Sequence, residues 1–293
     1  METTQPLDLS LEQLAEAMTH CFEGYVMPAH FTAPMAATMI RVDAIDLASS
    51  LIAREGDEII GAALISRRGR VCRVAAMAVA MSARRTGVGK AILTRAIEEA
   101  RGRGEVEMQL EVIEQNPPAI ELYKQLGFQI VHRLIGFEGM LPDAGEAVQP
   151  ALIGKPEKPP KKKPPATTLK DSTFAEVAAA LRKRGPLATS WSLSPATVEQ
   201  LSGPSRAVRC GEVFAMIGLA GEDVVSCRAL GFAKEPSREA IKIFLAAVAH
   251  EYPGKKFFIP AFFPEPEYKD AFEDSGLKIG DISQFQMSLK LGA

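Results

Sequence analysis

The chain has 293 residues, 47% of them apolar and 24% charged, with a formal net charge of -2. That balance suits a globular protein of two ordinary domains and gives no bulk attraction to nucleic acid or anionic membranes. No apolar run approaches the roughly 20 residues of a membrane span, and METTQPLDLS lacks the basic start and apolar core of a signal peptide, so a cytoplasmic location is expected.

In chain order, Ser10 and Gln13 are spaced as a capping box, and Leu11, Leu14, Ala15 and Met18 then share one helical face. Pro34 suits the first turn of a second helix. Residues 49–55, 58–66 and 71–80 read as strands separated by short turns, which favours antiparallel hairpins. A helix follows with Ile92, Leu93, Ala96, Ile97 and Ala100 on its buried side, ended by Gly102 and Gly104. Strand 105–113, a short helix from Pro117 and a strand over 128–137 complete the first half. The crossover from strand 71–80 to strand 105–113 is expected to be parallel.

Residues 154–166, GKPEKPPKKKPPA, interleave prolines with lysines. Proline removes backbone donors and lysines repel, so the segment reads as an extended tether; without interleaved aromatics it is a poor nucleic-acid site. Beyond it, Thr173 and Glu176 form another capping box and Ser194-Pro195 starts a short helix. AVRCGEVFAMIGLAG and DVVSCRALGF read as strands, and Ser237 caps a helix over 238–251. KKFFIPAF, a helix around 268–276 and the strand SQFQMSLKL close the chain. This order loosely echoes the first half. The fold class is therefore α/β (α+β, mixed sheet), divided into a domain at 1–150, a linker at 151–168 and a smaller domain at 169–293.

Cys21, Cys72, Cys210 and Cys227 form no C-x-x-C pair and the four histidines are dispersed. Reduced thiols and no metal centre are expected. The stretch with a chemical signature is SARRTGVGKA, 82–91. A nucleotide P-loop needs glycine where Arg84 stands and a hydroxyl where Ala91 stands, and a dinucleotide fingerprint needs glycine at Ile92. Both readings fail. What remains is a Gly-x-Gly turn between strand and helix, whose amides, with Arg84, Arg85 and Lys90 beside them, suit a pyrophosphate. The same turn also serves as a plain connection.

The spacing R-x-x-G-x-G in Arg84, Gly87 and Gly89 resembles motif A of the GNAT superfamily of acyl-CoA-dependent N-acetyltransferases. Asn116, Ala119, Leu122, Tyr123, Gly127 and Phe128 resemble its motif B, N-x-x-A-x-x-L-Y-x-x-x-G-F. The resemblance covers roughly residues 6 to 140. The chain also resembles two-domain bacterial members, in which a degenerate GNAT-like half follows the motif-bearing one.

The resemblance implies acetyl-CoA as acyl donor and a small-molecule amine or peptide N-terminus as acceptor, with neither nucleic acid nor membrane as partner. It implies that strands 71–80 and 105–113 splay into a wedge, with pantetheine along Met77, Ala78 and Val79 and pyrophosphate at Arg84, Arg85, Gly87, Val88, Gly89 and Lys90. Asn116 either contacts the cofactor or caps its helix. Tyr123 is either the general acid that protonates the leaving thiolate or a core residue. Glu111 is either the base or a solvated polar-face residue, a water chain being the other route. Phe22, Tyr25 and Phe31, with His30, either line an acceptor pocket or staple their loop to the sheet. The second half lacks the motif-A turn, so it is expected not to hold CoA and to serve as a scaffold or homodimer surface. A non-catalytic acetyl-CoA-binding regulator is the alternative reading.

Overall fold

The computed structural model describes residues 1–27, 29–141, 168–184, 190–203, 205–233, 237–265 and 268–292; the Pro/Lys segment 154–166 lies outside them. The chain forms two compact units, one made of Met1–Arg133 with Gln284–Ala293, the other of Leu134–Ser283.

The first unit begins with β1 (Glu2–Thr4), α1 (Leu11–Cys21) and α2 (Ala33–Asp43). The Ser10–Gln13 capping box is formed in both directions, and Thr32 caps α2 ahead of Pro34. Leu14, Ala15 and Met18 of α1 are buried as the pattern requires, but Leu11 is exposed. It occupies the first turn, before the helix reaches the sheet. Next come β2 (Leu51–Glu55), β3 (Glu58–Arg68), β4 (Val71–Val79), α3 (Val88–Gly102), β5 (Glu107–Ile113), α4 (Pro117–Gln125) and β6 (Gln129–Met140). β2, β3 and β4 pair antiparallel, and β4 pairs parallel with β5. Helices α3 and α4 cover one face, where Ile92, Leu93, Ala96, Ile97 and Ala100 meet Val74, Met108 and Leu110. On the other face Leu14, Met18 and Phe22 pack on Ile52, Ala62 and Leu64. Alternate strand residues thus serve two separate apolar layers.

The second unit starts within β6 at Leu134. It adds β7 (Lys170–Asp171), α5 (Phe174–Arg184), α6 (Pro195–Gln200), β8 (Arg206–Cys210), β9 (Val213–Leu219), β10 (Val224–Phe232), α7 (Arg238–Glu251), β11 (Lys256–Pro264), α8 (Lys269–Glu273) and β12 (Lys278–Ile279). β8, β9 and β10 pair antiparallel, β10 and β11 parallel, and β11 pairs antiparallel with the Leu134–Met140 part of β6. The order of strands and crossover helix repeats that of the first unit.

The closing strand, β13 (Gln284–Lys290), belongs to the first unit, not to the half of the chain that precedes it. It pairs antiparallel with β5 along its whole length, from Gln284 opposite Ile113 to Lys290 opposite Glu107. Met287, Leu289 and Leu291 enter the α3–α4 core. The compact units therefore do not divide at the Pro/Lys segment. Pattern and propensity identify a strand, but not the sheet edge on which it lands.

Candidate active site

Parallel pairing between β4 and β5 covers only Val71–Val74 against Glu107–Leu110. At that point β4 carries a bulge: Leu64 pairs with Ala76 and Ile65 with Val74, leaving Ala75 as the extra residue. A bulge bends and twists its strand, so β4 leaves β5 and follows β3 alone to Val79. A wedge opens between Ala75–Val79 and Glu111–Ile113.

Beyond the bulge, backbone direction alternates. The Ala80 amide donates to the Ile60 carbonyl, which directs the polar groups of Ala78 toward β3 and those of Met77 and Val79 to the open edge. Of the expected pantetheine-binding strand, Met77 and the Val79 amide lie on the open edge, the Val79 carbonyl being taken by Arg84, whereas Ala78 is turned to the ladder. The side chains of Met77 and Val79 pack on the α3–α4 core, leaving small Ala76 and Ala78 on the opposite face.

Immediately after this edge, a turn at Met81–Ala83 leads into α3. Arg85 stands at φ 65° and Gly87 at φ 96°. Gly87 is the helix cap, with no side-chain cap bond, and no acidic residue occupies the first turn. The first backbone bond of the helix runs from the Ala91 amide to the Gly87 carbonyl, so the amides of Val88, Gly89 and Lys90 are the free donors of a helix N-terminus. The two glycines differ in purpose. Nothing lies within 4 Å of a Cβ placed on Gly87, so its backbone angle demands glycine. A Cβ on Gly89 would lie 3.2 Å from Met77 and 3.4 Å from Leu122, so Gly89 lets the helix start approach the wedge. Gly61, which the strand pattern did not single out, plays the matching part on β3. A Cβ there would lie 2.8 Å from Ile92 and 3.0 Å from Val88, and its signal in the sequence is a glycine inside an apolar strand.

Arg85 and Lys90 are exposed beside the turn and, among the described residues, join no ion pair. Arg84 does not join them. Its Nε donates to the Val79 carbonyl at 2.9 Å and its Nη2 to the Glu23 carbonyl. The side chain that motif spacing assigned to the anion is spent on two main-chain oxygens.

Tyr123 projects from α4 into the α3–α4 core, with its ring edge-on to Phe128 at 5.9 Å. Burial, and then repulsion from Tyr25, raises its phenol above the ordinary 10.0. Among the described residues its hydroxyl makes no hydrogen bond. Asn116 caps α4 by accepting from the Ala119 amide at 3.4 Å. Burial raises the Tyr25 phenol, and the neighbouring Asn116 side chain opposes the rise.

Glu111 is not a free base. Arg73 Nε donates to its Oε2 at 2.5 Å, and the two side chains are only 11% and 6% exposed. Abstracting a proton would require breaking this buried pair. Glu114 is held by Arg133 at 2.8 Å. Arg73, one strand away on the same face, is the partner that sequence alternation alone does not reveal. Phe22, Tyr25 and Phe31 do come together, with ring centroids 5.1 Å apart for Phe22–Tyr25 and 5.3 Å for Phe22–Phe31. The Phe31 amide donates to the Thr19 hydroxyl at 2.9 Å. The cluster anchors the α1–α2 loop to the sheet beside the wedge.

The strand wedge thus lies beside an uncapped, glycine-started helix. Residues 11–128 match the model of the Acetyltransferase (GNAT) family. No curated protein matches the chain. Solved structures extend the likeness of fold to the second unit. A GCN5-related N-acetyltransferase from Sphaerobacter thermophilus aligns with a TM-score of 0.65 at 12% identity, over 100% of this chain and 96% of that one. Another from Anabaena variabilis aligns at 0.63 and 13%, over 99% and 73%. A tandem GNAT protein from the clavulanic acid biosynthesis pathway aligns at 0.61 and 15%, over 100% and 99%.

Proposed function

We propose that the first unit is an acetyl-CoA-dependent N-acetyltransferase and that its wedge takes the donor. The observation that carries this reading is adjacency: the open edge at Met77 and Val79 runs directly into the free amides of Val88, Gly89 and Lys90. Pantetheine fits the first as an added half-strand. Pyrophosphate fits the second, where the helix dipole, Arg85 and Lys90 all favour negative charge. Gly89 keeps the passage between them clear of a side chain.

Acetyl-CoA supplies an activated thioester. The protein's part is to orient it, polarise its carbonyl and return a proton to the departing thiolate. The Val79 amide, preorganised at the open edge, is placed to stabilise negative charge on the carbonyl oxygen. Tyr123 is assigned as the general acid on its motif-B position: its phenol is protonated at neutral pH, although burial, by raising it, makes it a weaker donor than a solvated tyrosine.

With Glu111 and Glu114 both paired, the incoming amine loses its proton to water at the wedge. Direct attack of the amine, without a covalent enzyme intermediate, agrees with the cysteines. All four are buried, and burial pushes Cys21 to about 11 and Cys227 to about 12, so neither is a nucleophilic thiolate at neutral pH.

The test is isothermal titration with acetyl-CoA, followed by a thiol-release assay over a panel of primary amines and peptide N-termini. Binding with turnover on at least one amine supports the reading. Binding without turnover on any amine favours a regulator that senses acetyl-CoA. No binding removes both.

A further inference from the structure

The two sides of the wedge are joined by a short piece of the α1–α2 loop. On the β4 side, Arg84 holds the Glu23 carbonyl with Nη2 while its Nε holds the Val79 carbonyl. On the β5 side, Tyr25 faces the Asn116 side chain, which opposes the rise of its phenol, and the Asn116 amide donates to the Ile113 carbonyl at the end of β5. Between these posts lies Gly24 at φ 64°, where a Cβ would lie 3.1 Å from the Met81 sulfur and 3.6 Å from Arg84. The loop is tight on itself as well, since the Tyr25 amide donates to the Phe22 carbonyl.

We infer that residues 23–25 form a strap across the open end of the wedge and that Arg84 is the positioning residue that holds it. Two donors on one rigid guanidinium span two carbonyls that belong to different elements; a lysine has one point of charge and cannot. The Val79 carbonyl is thereby occupied, so the edge offers its amide without a competing acceptor. The strap lies where a thioester would sit, and it limits access of water and of acceptor to that place. This functional half rests on the acetyl-CoA reading of the wedge; the structural half does not.

The experiment is hydrogen exchange on the full-length protein, compared for wild type, Arg84→Ala, Arg84→Lys and Tyr25→Phe, with acetyl-CoA titration and acceptor-free CoA release measured on each. Loss of a charge-assisted bond is expected to speed exchange over residues 23–27 on the order of tenfold in Arg84→Ala and in Arg84→Lys alike. Tyr25→Phe should loosen the same residues from the other post. Acetyl-CoA affinity should stay within about threefold in both Arg84 variants, while acceptor-free CoA release rises several-fold. Unchanged exchange over 23–27 overturns the strap. An affinity that collapses in Arg84→Ala and returns in Arg84→Lys overturns it too, because Arg84 is then an anion ligand acting by charge. If wild type binds no acetyl-CoA, the proposed function fails, and the exchange data still decide the strap.

Discussion

The first and second units build the same opening and furnish it differently. In both, a strand carries one extra residue just past a short parallel pairing: Ala75 after Val71–Val74 in β4, and Arg228 after Val224–Ser226 in β10. In both, the bulged strand then follows only its antiparallel neighbour. The first unit lines the gap with main-chain groups at Met77 and Val79 and opens α3 on Gly87 with no side-chain cap. The second unit stacks Tyr268 against Phe232 of β10 at 5.2 Å and against Phe263 of β11 at 5.8 Å. Its α7 opens on Ser237, whose hydroxyl accepts from the Ala240 amide, with Glu239 in the first turn. Arg238 there is paired to Asp270 and Asp274. The same backbone device leaves the helix-start donors uncapped in one unit and has a side chain satisfy one of them in the other.

The largest test of that contrast removes the strand that supports the first wedge. Deleting Gln284–Ala293 strips Met287, Leu289 and Leu291 from the α3–α4 core. At about 1.5–3 kcal/mol for each buried side chain, the loss rivals the roughly 5–15 kcal/mol that stabilises a typical domain. Exchange protection in β4 and β5 should vanish, and acetyl-CoA binding with it. A fragment ending at residue 150 should fail in the same way, although it contains both motifs.

Next in size is Tyr123→Phe, with an expected fall in turnover of about 10²- to 10⁴-fold and acetyl-CoA affinity retained. The same variant carries a stability signature. Because the folded-state phenol is raised above its ordinary 10.0, its contribution is fully present below that pH and is lost as pH rises through the folded value. Denaturant titrations should therefore show wild type losing stability above about pH 10, with a smaller loss in Tyr123→Phe. Equal turnover in the two proteins would return Tyr123 to a purely structural role.

How far the sequence reaches is visible in these residues. The Gly87 turn, the buried face of α3 and the capping boxes at Ser10 and Thr173 are local patterns, and each is formed as its spacing requires. The wedge was legible only through the family resemblance, because a bulge at Ala75 leaves no mark in AAMAVA. Arg84 and Glu111 mark the limit in another way. Each side chain is claimed by a group remote in sequence, Glu23 for one and Arg73 for the other. Spacing fixes the side of a strand on which a charge emerges, not the partner that meets it. The home of β13 was hidden for the same reason.

Gly87→Val isolates the start of α3. A β-branched residue held at φ 96° costs on the order of 1–3 kcal/mol, and relieving that strain rotates the amides out of register. Acetyl-CoA affinity should drop about 10- to 100-fold by calorimetry. Affinity within twofold of wild type would show that the amides of α3 do not hold the pyrophosphate.

The smallest effect belongs to the matching position of the second unit. Ser237→Ala removes the hydroxyl that accepts from the Ala240 amide at 3.0 Å, and loss of such a cap costs about 1 kcal/mol. Trp191 is buried in the second unit and is the sole tryptophan of the chain, so its fluorescence reports unfolding there. The denaturant midpoint read by Trp191 should fall while acetyl-CoA affinity stays unchanged. A drop in affinity instead would place a ligand at α7 and erase the distinction between the two openings. The asymmetry has a physical root: an amide already satisfied by a neighbouring hydroxyl gains little from a phosphate, whereas the amides after Gly87 have only water to lose.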